Sequence, residues 1–447
     1  MQRQPPAAGM LVAVSRRLSI VANLGGFPRL AHVACWAAAC TLATPALAQT
    51  DSGEGASQTV DSTRGPVIGS TRRIGLAGAF VAVAEDIEGV AINPASSAVR
   101  LPYSFQDWNV GFGLDIAVGA WLPKNDAYNQ GDTAGQDQAK ADKSTALFGS
   151  IGLLLNYRHF GLGLSAEATR NATTRADQTE GIDTSFAANF GTVHLNAAYG
   201  YLDGQLLLGA GPRLIGMSFD RSGGSSVIGT AGIGYEAGVL VKPNRQQYRL
   251  AAAVKSPIDA RLPAQPGIAA STVHVPWEVA LGFAYQFGPR RLNSRLFTAR
   301  ELAQQGTGHA DPTDAELDRA EQELFDRYQA RQRWYLLVSS ELSVIQGGGP
   351  VGLSGQTAMD RPVISPRVGL ESEVVPHYLR LRGGSYYEPA LLRGTNSRIH
   401  GTGGLDVKLF KWTLFGLLEP FNYWQLSLAA DAARSYLNTA FSIGIWH

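Results

Sequence analysis

From Gln106 to its end the chain is written in long runs that alternate apolar residues with small or polar ones. Between 277 and 287, Trp277, Val279, Leu281, Phe283, Tyr285 and Phe287 share one face, and Glu278, Ala280, Gly282, Ala284 and Gln286 share the other. Residues 436–446 repeat the pattern, with Leu437, Thr439, Phe441, Ile443 and Ile445 opposite Asn438, Ala440, Ser442 and Gly444. Successive side chains leave a strand on opposite faces, so a period of two specifies β-structure. Fourteen segments carry it: 106–121, 145–157, 160–171, 186–201, 205–219, 227–242, 248–257, 277–287, 334–345, 366–374, 378–388, 402–410, 422–431 and 436–446. Most run 9–16 residues. Strands of soluble domains average about 5–6 residues, whereas a tilted membrane-crossing strand needs about 9–11.

The connectors alternate in length. Arg158-His159, Leu202-Asp203-Gly204, Asn244–Gln247 and Pro376-His377 are short; 122–144, 172–185, 220–226, 258–276, 346–365 and 389–401 are longer and polar. Short turns at one end and long loops at the other mark an outer-membrane barrel, and an even strand count puts both termini at the short-turn, periplasmic end. The faces agree. One is Leu, Ile, Val, Ala and aromatic; the other is Gly, Ala and Ser with charges of both signs, among them Asp115, Glu167, Arg213, Glu236, Arg249, Glu341, Arg367, Glu371, Arg380, Arg382 and Asp406. A soluble sandwich would bury the apolar face and fill the other with Lys and Glu. A Gly-rich second face instead suits a narrow lumen that another backbone approaches closely. Trp108, Trp121, Trp277, Trp334, Trp412, Trp424 and Trp446 all lie at or within a residue or two of a strand end, where membrane-interface girdles form.

Composition is read after the first 48 residues are set aside. They hold Arg3, Arg16, Arg17 and Arg29 with no acid, an apolar run from Leu30 to Leu42, and Ala46-Leu47-Ala48 before Gln49. Basic flank, short apolar core and A-x-A site together make a secretory signal peptide, with Met10 an alternative start. Both cysteines, Cys35 and Cys40, fall inside it, so the mature chain has no disulfide framework, Cys metal site or thiol nucleophile. Loss of the four arginines takes the 38 basic residues to 34 against 37 acidic ones, a net charge of −3. That leaves no basic footprint for nucleic acid.

Two segments stand outside the strand pattern. Residues 49–105 precede it as an unstructured or extended arm followed by a small-residue stretch. Residues 290–333 fill a place where a short periplasmic turn belongs. There Thr313-Asp314-Ala315-Glu316 is a capping box, and Leu317, Ala320, Leu324 and Tyr328 make a stripe at helical spacing. The spacing predicts a helix over 314–331 and a shorter one near 297–304. It is read as a solvated surface helix or as a docking element for a periplasmic protein partner.

Residues 69–99 read GSTRRIGLAGAFVAVAEDIEGVAINPASSAV. Gly75 and Gly78 flank Ala77 and permit close packing. Asn93 can bond its own backbone two residues on, and Pro94 fixes φ, so Asn93-Pro94-Ala95 makes a turn. This stretch resembles the N-terminal plug, or hatch, of the FadL family of outer-membrane transporters of hydrophobic compounds; it is also similar to the opening of PorV-like barrels, which serve a secretion system. The run Arg380-Leu381-Arg382-Gly383-Gly384-Ser385-Tyr386-Tyr387-Glu388-Pro389 is similar to late strands of both. The resemblance implies an all-β, 14-stranded antiparallel transmembrane barrel with a lumenal plug. It implies uptake of long-chain fatty acids or aromatic hydrocarbons, or else a scaffold or secretion-associated role. Partners would be outer-membrane lipid, a hydrophobic ligand and, through 314–331, a periplasmic protein. The expected division is signal 1–48, arm and plug 49–105, and barrel 106–447 with a helical periplasmic insertion at 290–333. Gly75, Gly78, Asn93, Pro94 and Ala95 carry the plug motif, and Glu85 and Asp86 either pair with lumenal arginines such as Arg380 or Arg382 or are solvated. Leu262, Pro263, Ile268 and Val273 are candidate capture residues or simple loop packing. Two features depart from the family pattern: the insertion, and an ending in Trp446-His447 that makes the aromatic residue penultimate.

No catalytic, metal or cofactor motif appears. Gly352-Leu353-Ser354-Gly355 is one residue short of G-x-S-x-G. The histidines after the signal are scattered singly, at spacings that suit no metal site, and read as turn or interface residues.

Overall fold

The computed structural model describes residues 58–61, 65–100, 104–119, 141–177, 182–221, 228–262, 271–295, 297–331, 333–347, 350–351, 356–357, 361–390, 396–411 and 423–446. The expected signal peptide lies outside them, as do Trp121 and Trp412. All fourteen expected segments are strands: β1 Trp108–Gly119, β2 Ala141–Tyr157, β3 Phe160–Asp177, β4 Ile182–Tyr201, β5 Leu206–Arg221, β6 Ile228–Val241 and β7 Tyr248–Lys255, then β8 Glu278–Phe287, β9 Leu336–Ile345, β10 Val363–Val375, β11 Leu379–Glu388, β12 Arg398–Lys411, β13 Tyr423–Ala433 and β14 Tyr436–Trp446. Each pairs antiparallel with its chain neighbours, and β14 pairs with β1 to close a 14-stranded barrel. Closure satisfies the edge groups that an open sheet would leave bare.

The alternation resolves into an outside and an inside. On β1, Trp108, Val110, Phe112 and Leu114 point outward and are 49–66 % exposed, while Gly111 and Gly113 face the lumen. Every barrel strand but β13 shows at least two such large apolar residues on its exposed face or ends, and β13 shows Leu428. An apolar surface this extensive is stable against lipid, not water. Rings gather at the short-turn end: Trp108 lies 4.4 Å from Tyr157, Tyr199 lies 4.9 Å from Tyr201, and Tyr285 lies 4.7 Å from Phe287. Trp334, Trp424 and Trp446 sit at the same end and Trp277 at the other.

Connector lengths differ from expectation in three places. The 172–185 loop is mostly strand, because β3 and β4 stay paired from Phe160↔Tyr199 to Asp177↔Ile182. The last hairpin turns tightly at Arg434-Ser435, with Ser435 left-handed at φ 56°, although it lies at the loop end. The β7–β8 connector folds back as Ile258–Leu262 paired with Ser271–Val275, and the arm adds Gln58–Asp61 in parallel. In this small sheet Ile258, Ala260, Val273 and Val275 are buried with Ile215 and Met217 of β5, and Phe190 packs alongside. Val273 is therefore packing within the loop end; Pro263 and Ile268 lie outside the described residues, as does the side chain of Leu262.

The insertion forms two helices, α3 Ala299–Thr307 and α4 Asp314–Gln329, numbered after two in the plug, α1 Thr71–Gly75 and α2 Asp86–Val90. Both α3 and α4 open on capping boxes, Thr298 with Glu301 and Thr313 with Glu316. They bury Ala299, Ala303, Ala320 and Leu324 against each other, with Phe105 and Phe297 at the margin.

Candidate functional site

Residues 65–100 lie in the lumen and form the plug: Val67 reaches Tyr386 nearer the loop end, and 93–98 pack on Gly161 and Gly209 near the turn end. Ser70 caps α1, its side chain accepting from the Arg73 N–H. The helix stops because Ala77 (φ 56°) and Gly78 (φ 74°) are left-handed, which lets the Gly78 N–H reach the Arg73 carbonyl at 2.8 Å. A Cβ at Gly78 would be strained by its φ and would sit 2.8 Å from Val67. Phe80 to Ala84 follow and are fully buried, packed on Leu207, Leu240, Ala280 and Leu337 of the wall. The Asn93 side chain accepts from the Ala95 N–H at 3.1 Å, and Pro94 starts a 3-10 turn over Pro94–Ala98.

Small residues in the wall make room for this backbone. A Cβ on Gly161 would collide with the Ser97 carbonyl, one on Gly209 with Pro94, and one on Gly369 would lie 2.6 Å from the Leu76 carbonyl. On the plug side, Gly75 passes 3.3 Å from the point where a Gly404 Cβ would stand.

The plug contributes no strand to the barrel, so its backbone groups need other partners. Wall side chains supply them. Glu341 Oε2 accepts from the Phe80 and Val81 N–H groups at 2.9 and 2.8 Å. Ser339 donates to the Ala79 carbonyl at 2.7 Å, Asn196 to Val90 at 2.9 Å, Lys255 to Ala91 at 2.7 Å and Asn156 to Ser97 at 2.5 Å. Thr402 donates to Gly75 at 3.1 Å, and the Val67 N–H donates to the Tyr386 hydroxyl at 3.0 Å. Asn93 Nδ2 donates both to Val81 within the plug and to Val239 of β6, at 3.2 and 3.3 Å.

A chain of charges crosses from plug to wall. Glu85 pairs with Arg249 at 3.2 Å and Arg72 at 3.1 Å; Arg72 pairs with Glu371 at 2.9 Å; Glu371 pairs with Arg382 at 2.7 Å. Asp406 then takes Arg382 at 2.5 Å and Arg380 at 3.3 Å. This corrects the expected pairing. Glu85 does meet a wall arginine, but it is Arg249, because Arg380 and Arg382 face Asp406 and Glu371 on the neighbouring strands. The link from Glu85 to Arg382 runs through Arg72 and Glu371. Burial raises the Glu85 carboxyl, but Arg249 and Arg72 outweigh it and hold the group down to about 2. Asp86 is pushed by burial up to about 6. Glu88 goes up to about 8, from burial and then the nearby Asp115 carboxylate.

Two histidines are neither the turn nor the interface residues expected. His194 is buried with Nδ1 2.9 Å from Glu236, which also accepts from Asn196 at 2.8 Å. His400 is buried between Asp431 (2.8 Å) and Glu388 (2.6 Å) and stacks on Tyr386 at 4.2 Å. A period-two reading places both on the lumen face; only the cross-strand register brings their carboxylates to them.

The wall ladder is interrupted in places. The β14–β1 seam holds five partner pairs, from Asn438↔Gly119 to Ser442↔Asp115, and between β4 and β5 partner pairs stop at His194↔Arg213 and resume at Ala197↔Ala210. Pro212 has no N–H for the ladder there, and the plug stands directly behind, at Val90, held by Asn196.

No family model matches the sequence, and no curated protein matches it. Among solved structures, the chain is similar to a Pseudomonas aeruginosa FadL homologue, 13 % identical, over 86 % of this chain and 97 % of that one at a TM-score of 0.49. It is similar to the P. putida toluene transporter TodX, 11 % identical over 85 % of this chain and 99 % of that one at 0.48. The monoaromatic hydrocarbon channel CymD is 12 % identical over 85 % of this chain and 96 % of that one at 0.46.

Proposed function

We propose that the chain is an outer-membrane channel for uptake of hydrophobic small molecules, of the long-chain fatty-acid or aromatic-hydrocarbon class, by passive diffusion gated by the plug. The observation that carries this is how the plug is held. Side-chain hydrogen bonds and ion pairs fasten it to the wall, and no barrel ladder bond runs through it. It can move while the barrel stays closed. A filled turn-end lumen suits selective passage better than a water-filled pore. The loop end would face outward. The driving force is burial of ligand surface, at about 25 cal/mol per Å². The interrupted β4–β5 ladder at Pro212 supports release sideways through the wall. The test is uptake by a deletion strain, with and without the gene restored, of oleate and of toluene. Unchanged uptake of both classes would sink the reading.

A second reading, a scaffold or secretion-associated barrel, draws on the insertion. Helices α3 and α4 have their own buried contacts and present Asp314, Asp318, Glu323 and Asp326 outward at the periplasmic end. A pull-down with the full chain and with residues 290–333 deleted decides between the two. Loss of one specific protein partner on deletion favours the scaffold.

A further inference from the structure

At the turn-end mouth a cavity of about 170 Å³ lies where the plug leaves the lumen, beneath α3. Ala98 and Arg100 of the plug, Lys242 at the end of β6, and Phe297 and Glu301 at α3 contribute to its lining. Its cations are not equivalent. Arg100 donates to the Ser104 and Gln106 carbonyls at 2.6 and 3.0 Å; Arg158 pairs with Asp107 at 3.2 Å; Arg295 pairs with Asp203 at 3.7 Å. Lys242 is only 8 % exposed, and among the described residues no hydrogen bond or ion pair ends on its Nζ. Glu85, the carboxylate that acts on it, is already shared by Arg72 and Arg249. A largely buried ammonium lacking a hydrogen-bonded counter-charge is costly, and the Lys242 Nζ, not fully enclosed, stays open to an incoming anion. Burial, with Arg249 and then Arg100 near it, pushes the Lys242 amine down to about 8.

We infer that this cavity is a binding site for a small organic carboxylate, with Lys242 as its anion anchor. One uncommitted cation matches one negative charge. Asp203 and Glu301 at the lining disfavour a dianion such as phosphate, and Glu301 is fixed in place by its capping bond to the Thr298 N–H at 2.9 Å. Ala98 and Phe297 provide an apolar wall for the body of the acid. The volume admits a single aromatic ring or a short acyl chain, not a long one. The inference concerns binding at this mouth and stands whether or not the barrel transports.

The test uses the full chain in detergent with three probes: benzoate, its neutral isostere benzamide, and inorganic phosphate. Calorimetry at pH 7 is expected to give benzoate an affinity about tenfold above benzamide, the size of one charge-assisted hydrogen bond. Lys242→Gln should remove that advantage and leave benzamide unchanged, and Lys242→Arg should keep most of it. In the unaltered chain, benzoate should protect Lys242 from acetylation, read by mass spectrometry, which needs no variant to fold. Equal benzoate affinity in the wild type and Lys242→Gln overturns the inference. So does equal labelling of Lys242 with and without benzoate, or phosphate binding more tightly than benzoate.

Discussion

Glu371 shows how single residues hold the plug. Its carboxylate accepts from Arg72 at 2.9 Å, from Arg382 at 2.7 Å and from the Tyr335 hydroxyl at 2.8 Å. Buried pairs of this kind add little net stability, since desolvation offsets attraction; what they add is a single arrangement, because any other leaves a charge bare. Glu371→Ala should therefore cost about 3–5 kcal/mol, the usual effect of stranding buried partners. The barrel ladder does not pass through this side chain. The expected result is faster proteolysis within 65–100 and a lower unfolding temperature with the closed barrel retained; unchanged protease resistance would count against this role. Period-two reading placed Glu371, Arg382 and Asp406 in the lumen, because charge on a lipid face is excluded. It could not assign their partners. Arg72 and Glu371 stand 299 positions apart, and only barrel closure and plug placement bring them together. Likewise Asn156, Asn196 and Ser339 carry no motif; they act because plug carbonyls arrive beside them.

At the scale of elements, all fourteen strands were legible, because lipid outside and a filled lumen inside impose two opposed chemistries on each. Helix α4 was legible from the Thr313–Glu316 capping box and the Leu317, Ala320, Leu324 stripe, and α3 was expected only as a shorter helix near 297–304. Strand ends were not. The β3–β4 hairpin outruns the lipid band, and beyond that band alternation no longer marks pairing. The β7–β8 sheet was missed as well, since its strands are five residues each and one neighbour comes from the distant arm. Glycine was legible as a sign of close approach, and that is testable. Gly161→Val places a side chain where the Ser97 carbonyl lies, whereas a Cβ at Gly403 meets nothing within 4 Å. Overpacking of this kind costs about 1–3 kcal/mol, and an uncrowded change stays within about 0.5 kcal/mol. Gly161→Val should raise conductance in planar bilayers as the plug is displaced, and Gly403→Val should not. Equal conductance in the two variants would refute close seating of the plug at Gly161.

For the whole molecule, the lumen takes the place of the usual core and the outer wall takes the place of core-facing strand sides. That inversion accounts for a charged fraction of only 17 % and for 51 glycines. It also puts titratable groups where a soluble fold would avoid them, so the seating of the plug should depend on pH. Asp86 rises from 3.8 to about 6 and Glu88 from 4.5 to about 8 in the seated plug, both chiefly through burial. A carboxyl whose folded value is raised binds its proton more tightly when seated, so seating weakens as pH climbs from about 4 through about 8. Glu85 works in the opposite sense: lowered to about 2, it contributes above its ordinary value of 4.5 and is lost only as pH falls toward 2. Between pH 5 and 8 the raised pair governs. Opening events in planar bilayers should become roughly tenfold more frequent across that window, equivalent to about 1.4 kcal/mol. The full shifts would give more, but both side chains are half-buried and lumenal solvent screens them. Asp86→Asn combined with Glu88→Gln removes both titrations and should flatten the profile while Glu85 keeps its pairs with Arg72 and Arg249. A double variant whose opening frequency still climbs with pH as in the wild type would place the pH sensor outside the plug's Asp86 and Glu88.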